Sequence, residues 1–167
     1  DVTSRRAAGL TAGMRSLSRV AILALVLVVA ATARLAGATA ELARAGDAFV
    51  LQENGQRVWI VGNDAVSFKV GLNGNGALNT LGLDRTGSGR QWKPGTAADF
   101  TFLAGSRRLT PGQSTFTFRE ARASATDTAV RLELVFEDAA SQIRVTRNYA
   151  CGAGSGAIGV WSAVETA

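Results

Sequence analysis

Residues 58–92 read VWIVGNDAVSFKVGLNGNGALNTLGLDRTGSGRQW, and the reading of this stretch decides the fold. Val58-Trp59-Ile60-Val61 is apolar at every position, the pattern of a strand buried between two layers. Gly62-Asn63-Asp64 is turn chemistry, because glycine and Asn/Asp accept the left-handed backbone of a tight reversal. From Ala65 to Leu72 the chain alternates, with Val66, Phe68, Val70 and Leu72 on one side and Ser67 and Lys69 on the other. Asn73-Gly74-Asn75-Gly76 reverses it again. Leu78, Leu81 and Leu83 reopen an apolar run, and the turn from Asp84 to Gly89 leads into Arg90-Gln91-Trp92. Successive strands joined by short reversals form an antiparallel meander.

The same grammar extends in both directions. Ala48 to Gln52 is predicted as a first edge strand, and Asp99 to Leu103 as a short strand with Phe100 and Phe102 on one face. Gly105 to Arg108 and Thr110-Pro111-Gly112 read as turns, Thr115 to Arg122 as a strand, and Ala123 to Thr128 as a loop. Ala129 to Glu137 alternates most clearly, with Val130, Leu132, Leu134 and Phe136 inward. Ile143, Val145 and Tyr149 line the next strand, Cys151 to Gly156 a loop, and Ile158 to Val164 a last strand containing Trp161. Eight or nine strands at roughly ten-residue spacing, with no sustained 3.6-residue apolar period, predict an all-β fold, an antiparallel β-sandwich or barrel.

The first forty residues are a different material. They hold five arginines and one acid, whereas residues 41–167 hold 13 basic and 12 acidic residues. The net charge of +5 therefore comes almost wholly from the leader, and the folded part has no surplus to set against a phosphate backbone. Nucleic acid is not an expected partner. Met14 to Arg19 is basic, Val20 to Ala33 is apolar, and Ala38-Thr39-Ala40 offers small residues for cleavage before Glu41. These are the parts of a secretory signal peptide in order. Residues 1–40 are thus predicted to be a cleavable signal-peptide helix starting at Met14, and residues 41–167 a domain that is secreted or held in the periplasm or cell envelope. An uncleaved anchor is the competing reading, but the fourteen-residue apolar run is short of the ~20 that span a bilayer. Ser4-Arg5-Arg6 offers a degenerate twin-arginine signal as a further alternative.

Residues that carry chemistry are few. The sequence has no histidine, which removes the usual triads, most zinc sites and the commonest general base. Its single cysteine, Cys151, cannot close an internal disulfide. The glycine-rich stretches 71–76 and 152–156 do not open helices, so they read as hairpin turns and not as phosphate cradles. Asp64, Asp84, Asp99 and Asp127 lie in turn-like sequence, where aspartate mainly bonds nearby backbone, and no two of them are nominated as a catalytic pair. Trp59 and Trp161 sit inside apolar strands and read as core. Trp92 stands at a strand end beside Arg90, Lys93 and Asp99, a mixture that suits a carbohydrate-binding rim as well as the closing of a sandwich end. Trp92, Lys93 and Asp99 are the rim candidates. No catalytic residue, metal ligand or cofactor is assigned.

The order of residues in 58–92 resembles the N-terminal β-sandwich, or supersandwich, of α-galactosidase-like enzymes of glycoside hydrolase family 36. The matching features are a strand ending in Gly62-Asn63-Asp64, the alternating strand with Phe68, a glycine-rich reversal, Leu81 before a turn, and Gly89-Arg90-Gln91-Trp92. Ile143-x-Val145-x-Arg147-x-Tyr149, followed by a small-residue loop, Ile158, Trp161 and Val164-Glu165, is similar to that domain's closing strands. Related sandwiches precede the barrels of family 31 and family 97 enzymes. The resemblance implies a non-catalytic sandwich that packs against a downstream (β/α)8 barrel, borders a pocket for α-galactoside-type sugars, and belongs to a homo-oligomer. The family's catalytic aspartates lie on that barrel, so none maps onto this sequence. The alternative is a free-standing secreted sandwich that binds carbohydrate without catalysis.

Overall fold

The computed structural model describes residues 39–94, 98–113 and 115–166. The expected leader up to residue 38 lies outside the described residues. Among the described residues, twelve strands form three antiparallel sheets. Six of them make a continuous meander in sequence order: β1 (Thr39–Ala45), β2 (Ala48–Glu53), β3 (Val58–Gly62), β4 (Val66–Leu72), β5 (Leu78–Arg85) and β6 (Arg90–Trp92). A two-stranded hairpin follows, β7 (Phe102–Ala104) and β8 (Arg107–Leu109). The remaining four, β9 (Phe116–Ala125), β10 (Ala129–Asp138), β11 (Ile143–Gly152) and β12 (Ile158–Thr166), form the second meander. The protein is an all-β antiparallel sandwich, as the alternation and turn spacing predict.

The core lies between the two large sheets. Val50, Trp59, Val61 and Val70 enter it from the first, and Leu132, Leu134, Phe136, Val145 and Tyr149 from the second. Aromatic pairs cross the interface: Trp59 meets Phe118 at 5.8 Å between ring centroids, and Phe68 meets Tyr149 at 5.6 Å. Phe100 and Phe118 both abut Phe136 edge-on, at 5.5 and 5.7 Å. Each such side chain contributes about 1.5–3 kcal/mol by leaving water, and edge-to-face pairing adds to that.

Several local readings are corrected. The first edge strand is β1, beginning at Thr39, outside the expected Ala48–Gln52 strand. Strand β3 buries one face, not two: Trp59 and Val61 are buried while Val58 and Ile60 are half-buried. Leu81 is the extra residue of a bulge, since Lys69 pairs with Gly82 and Val70 with Thr80, and it is 40% exposed. The bulge re-phases β5, so that Leu78 and Leu83, an odd number of positions apart, both face the core. Arg107 and Arg108 belong to β8 and not to a turn, and β9 runs on through the small residues expected to form a loop. Trp161 is on the outer surface, 40% exposed, with the Arg131 guanidinium 5.3 Å from its ring.

The two large sheets differ in width. β10 lies over β2 and β3 and β11 over β3, while β12 meets β4 only marginally and leaves its inward-facing Val160 and Val164 exposed, so β6 and the adjoining end of β5 extend past the covered part of the smaller sheet. That overhang positions the candidate site.

Candidate functional site

Register across the first sheet places Val50, Val61, Phe68, Leu83 and Trp92 in one row, each directly opposite the next. Directly opposed residues of an antiparallel pair project from the same face, so Trp92 belongs to the core-facing row. At β6 there is no second sheet to cover it, and it is 57% exposed. An open hollow of about 860 Å³ lies there, lined by Val66, Leu83, Arg85, Arg90, Trp92 and Gly156 among others. The neighbouring row, Val66–Arg85–Arg90, puts two arginines face to face on the same side.

The hollow's inner wall is held by Asn63, which is 2% exposed. Its Oδ1 accepts hydrogen bonds from the backbone N–H groups of Ala65 (2.9 Å) and Val66 (3.0 Å), closing the turn between β3 and β4. Its Nδ2 donates to the carbonyls of Gly152 (2.9 Å) and Ser155 (2.6 Å) in the β11–β12 loop. One buried amide thus ties together the two segments that carry Val66 and Gly156. Gly62, beside it, has to lack a side chain, because a Cβ there would lie 2.4 Å from the Val66 carbonyl oxygen.

The three rim candidates do not form one site. Trp92 lines the hollow, while Lys93 is exposed and outside its lining. The Asp99 carboxylate is 4% exposed and committed elsewhere. It accepts from Thr80 Oγ1 at 2.6 Å, from Arg147 Nε at 2.8 Å and from the Tyr149 hydroxyl at 2.9 Å. The network spans the sandwich, since Thr80 is on β5 and Arg147 and Tyr149 are on β11. Arg147 is also stacked near the Phe100 and Tyr149 rings, at 5.5 and 5.7 Å. Burial first, and the Asp99 charge second, push the Tyr149 hydroxyl well above the ordinary tyrosine range. Sequence reasoning missed Arg147 as Asp99's partner, although its place in the inward register between Val145 and Tyr149 marks it as a buried cation that needs an acid.

The other buried carboxylate, Asp138, is engaged through Oδ2, by the Ser141 hydroxyl and by Arg107 Nη2 at 3.3 Å, while its Oδ1 is buried without a hydrogen-bond partner among the described residues. Hydrogen bonds from Ser141 and Thr115 hold it below the usual carboxylate range. Burial raises the Cys151 thiol, which is 1% exposed. Among the described residues no group of three His, Cys, Asp or Glu side chains is arranged to hold a metal ion. What the hollow offers is an apolar floor, one exposed indole and two guanidinium groups, the ingredients of binding. No family model matches this chain, and no curated protein and no solved structure matches it either.

Proposed function

We propose that the sandwich is a non-catalytic carbohydrate-binding domain of an exported glycoside hydrolase of the α-galactosidase type. The observation that carries the binding part is Trp92, 57% exposed on the core-facing row of β6, beside Leu83 and at the lip of the hollow. An indole held by a strand presents a flat apolar face at low conformational cost, which suits stacking on a sugar ring. The link to a glycosidase rests on the sequence resemblance of residues 58–92 and 143–165.

Calorimetric titration of the purified protein with galactosides and plant oligosaccharides tests the binding reading. Heat of binding that disappears in Trp92→Ala supports it, and flat traces for the unaltered protein across the panel remove it. Turnover of an aryl α-galactoside by the purified chain would sink the non-catalytic part. N-terminal analysis of the exported protein tests the leader, with Glu41 as the expected first residue. A second reading rests on the same exposed Trp92, which stacks on a sugar with or without a catalytic barrel beside it. A free-standing carbohydrate-binding sandwich would need nothing more. The reading frame downstream of Ala167 separates the two: a βα-repeat barrel supports the first, and a stop codon the second.

A further inference from the structure

We infer that the ligand of the Trp92 hollow is an anionic pyranose, bearing a ring carboxylate or a sulfate ester, with Arg85 and Arg90 as the groups that select it. The inference rests on the carbohydrate reading above and narrows it from sugars in general to charged ones.

The starting point is a pairing that works against the fold. Arg85 and Arg90 are directly opposed across β5 and β6, and both are exposed. Like charges directly opposite each other in an antiparallel pair are destabilising. Seven arginines elsewhere in the domain, Arg44, Arg107, Arg119, Arg122, Arg131, Arg144 and Arg147, each hold a carboxylate, and Arg57 stacks on the Phe118 ring. Arg108 also holds none among the described residues, but it is not opposed to a second arginine, since its strand partner is Leu103. Neither Arg85 nor Arg90 has an acidic partner among the described residues. Asp84, the acid nearest in sequence, pairs with Gln91 in the alternate row and so projects from the opposite face. The two side chains therefore leave the same side of the sheet, at the lip of the hollow, with no carboxylate paired to either among the described residues.

Spacing then names the ligand. The Leu83–Trp92 pair and the Arg85–Arg90 pair are successive same-face rows, separated by about 6.6–6.8 Å. A pyranose ring stacked on Trp92 would carry a substituent on its rim toward the arginines, whose side chains cover the remaining gap. A carboxylate or sulfate there accepts paired N–H donors from the guanidinium forks, the geometry in which arginine outperforms lysine. The same anion would relieve the Arg85–Arg90 repulsion, so binding and local stability are coupled. The hollow's volume of about 860 Å³ accommodates more than one sugar unit.

The test titrates the full chain at low ionic strength with three probes: a neutral galacto-oligosaccharide, an oligogalacturonide and a sulfated galacto-oligosaccharide. At least one acidic probe is expected to bind about tenfold or more tightly than the neutral one, with the preference shrinking as salt is raised. Whichever acidic probe wins identifies carboxylate or sulfate as the group read. The double variant Arg85→Gln/Arg90→Gln should lose the preference while melting no lower than the parent, which excludes misfolding as the cause. Trp92→Ala should weaken all probes together. Equal or tighter binding of the neutral probe, or a preference that survives in the double variant, overturns this inference and leaves the carbohydrate reading standing. Absence of binding to all three probes by the unaltered protein overturns both.

Discussion

The two halves of β5 face the same way and meet opposite fates. At the Thr80 end a cation from the second sheet, Arg147, comes within 2.8 Å of Asp99, and Tyr149 and Thr80 complete the carboxylate's hydrogen bonding. At the other end, beyond the Leu81 bulge, Arg85 lies between Val66 and Arg90 and holds no carboxylate among the described residues. The first arrangement is covered by β11 and by the chain as it crosses between the sheets at Asp99 and Phe100. The second lies on the overhang past β12. Where the second sheet removes water, an unpaired charge costs several kcal/mol, so the arginine there is matched in full. Where water remains, mismatch costs little and can persist if something else benefits from it. One strand therefore separates charge that holds the fold together from charge that is open to a ligand.

Removing the acid at the closed end is expected to have the largest effect. Asp99→Ala leaves Arg147, 17% exposed, without its partner, and should cost about 3–5 kcal/mol in denaturant unfolding. Asp99→Asn should cost less, because it still accepts from Thr80 or Tyr149. A loss under about 1 kcal/mol for the alanine variant would mean that Arg147 finds water or another acceptor, and the contrast between the two ends would collapse. Asn63→Ala is expected to be next, at about 2–3 kcal/mol, since its buried amide satisfies two N–H groups of the β3–β4 turn and two carbonyls of the β11–β12 loop. It should also weaken sugar binding by releasing the wall that carries Gly156.

Tyr149 sharpens the closed end by pH. Its hydroxyl is raised above the ordinary value by burial and by Asp99. The folded protein therefore keeps a proton that the unfolded chain gives up above about pH 10. The stability linked to this group is fully present below that pH and is lost as pH rises further. Tyr149→Phe should lose about 1.5 kcal/mol at neutral pH, the low end for one hydrogen bond to a charged acceptor. Its unfolding free energy should then fall less steeply on the alkaline side. Parallel alkaline slopes for the two proteins would show that Tyr149 is less enclosed than its contacts indicate.

How much of this contrast is legible in the sequence depends on whether the determining contact is local. The meander from Val58 to Trp92 is readable because each reversal carries its own Gly, Asn or Asp, and the alternation between reversals is regular. Strand β1 is not, since its core face is only the small side chains of Ala43 and Ala45, too weak an alternation to mark a strand, and it is ordered by pairing with β2 across a bulge. The division into two sheets is also hidden. Nothing local to Pro94 or Asp99 says that the chain leaves one layer there for the other. Trp92's exposure follows from its position at a strand end, and was open to a sequence reading. Arg85 was not, because its inward phase exists only through the bulge at Leu81. Asp99 looks like a rim residue in sequence for a similar reason: its partner is 48 residues away, and the turn-like sequence around it carries no sign of that contact.

The smallest expected effect is the most discriminating. Arg85→Gln removes half of the opposed pair at the open end without touching the core. If the repulsion with Arg90 is real, the variant should be slightly more stable than the parent, by about 0.2–0.5 kcal/mol. The gain should shrink as salt is added, because exposed charges are screened over about 10 Å at 0.1 M ionic strength. In a domain of this size that is a shift of about one to three degrees in melting temperature, measurable by calorimetry at two salt concentrations. A salt-independent loss of stability would mean that the Arg85 stem packs on Leu83 or Trp92 and contributes to the fold. The two ends of β5 would then differ in degree only, and the charge at the open end would need no ligand to account for it.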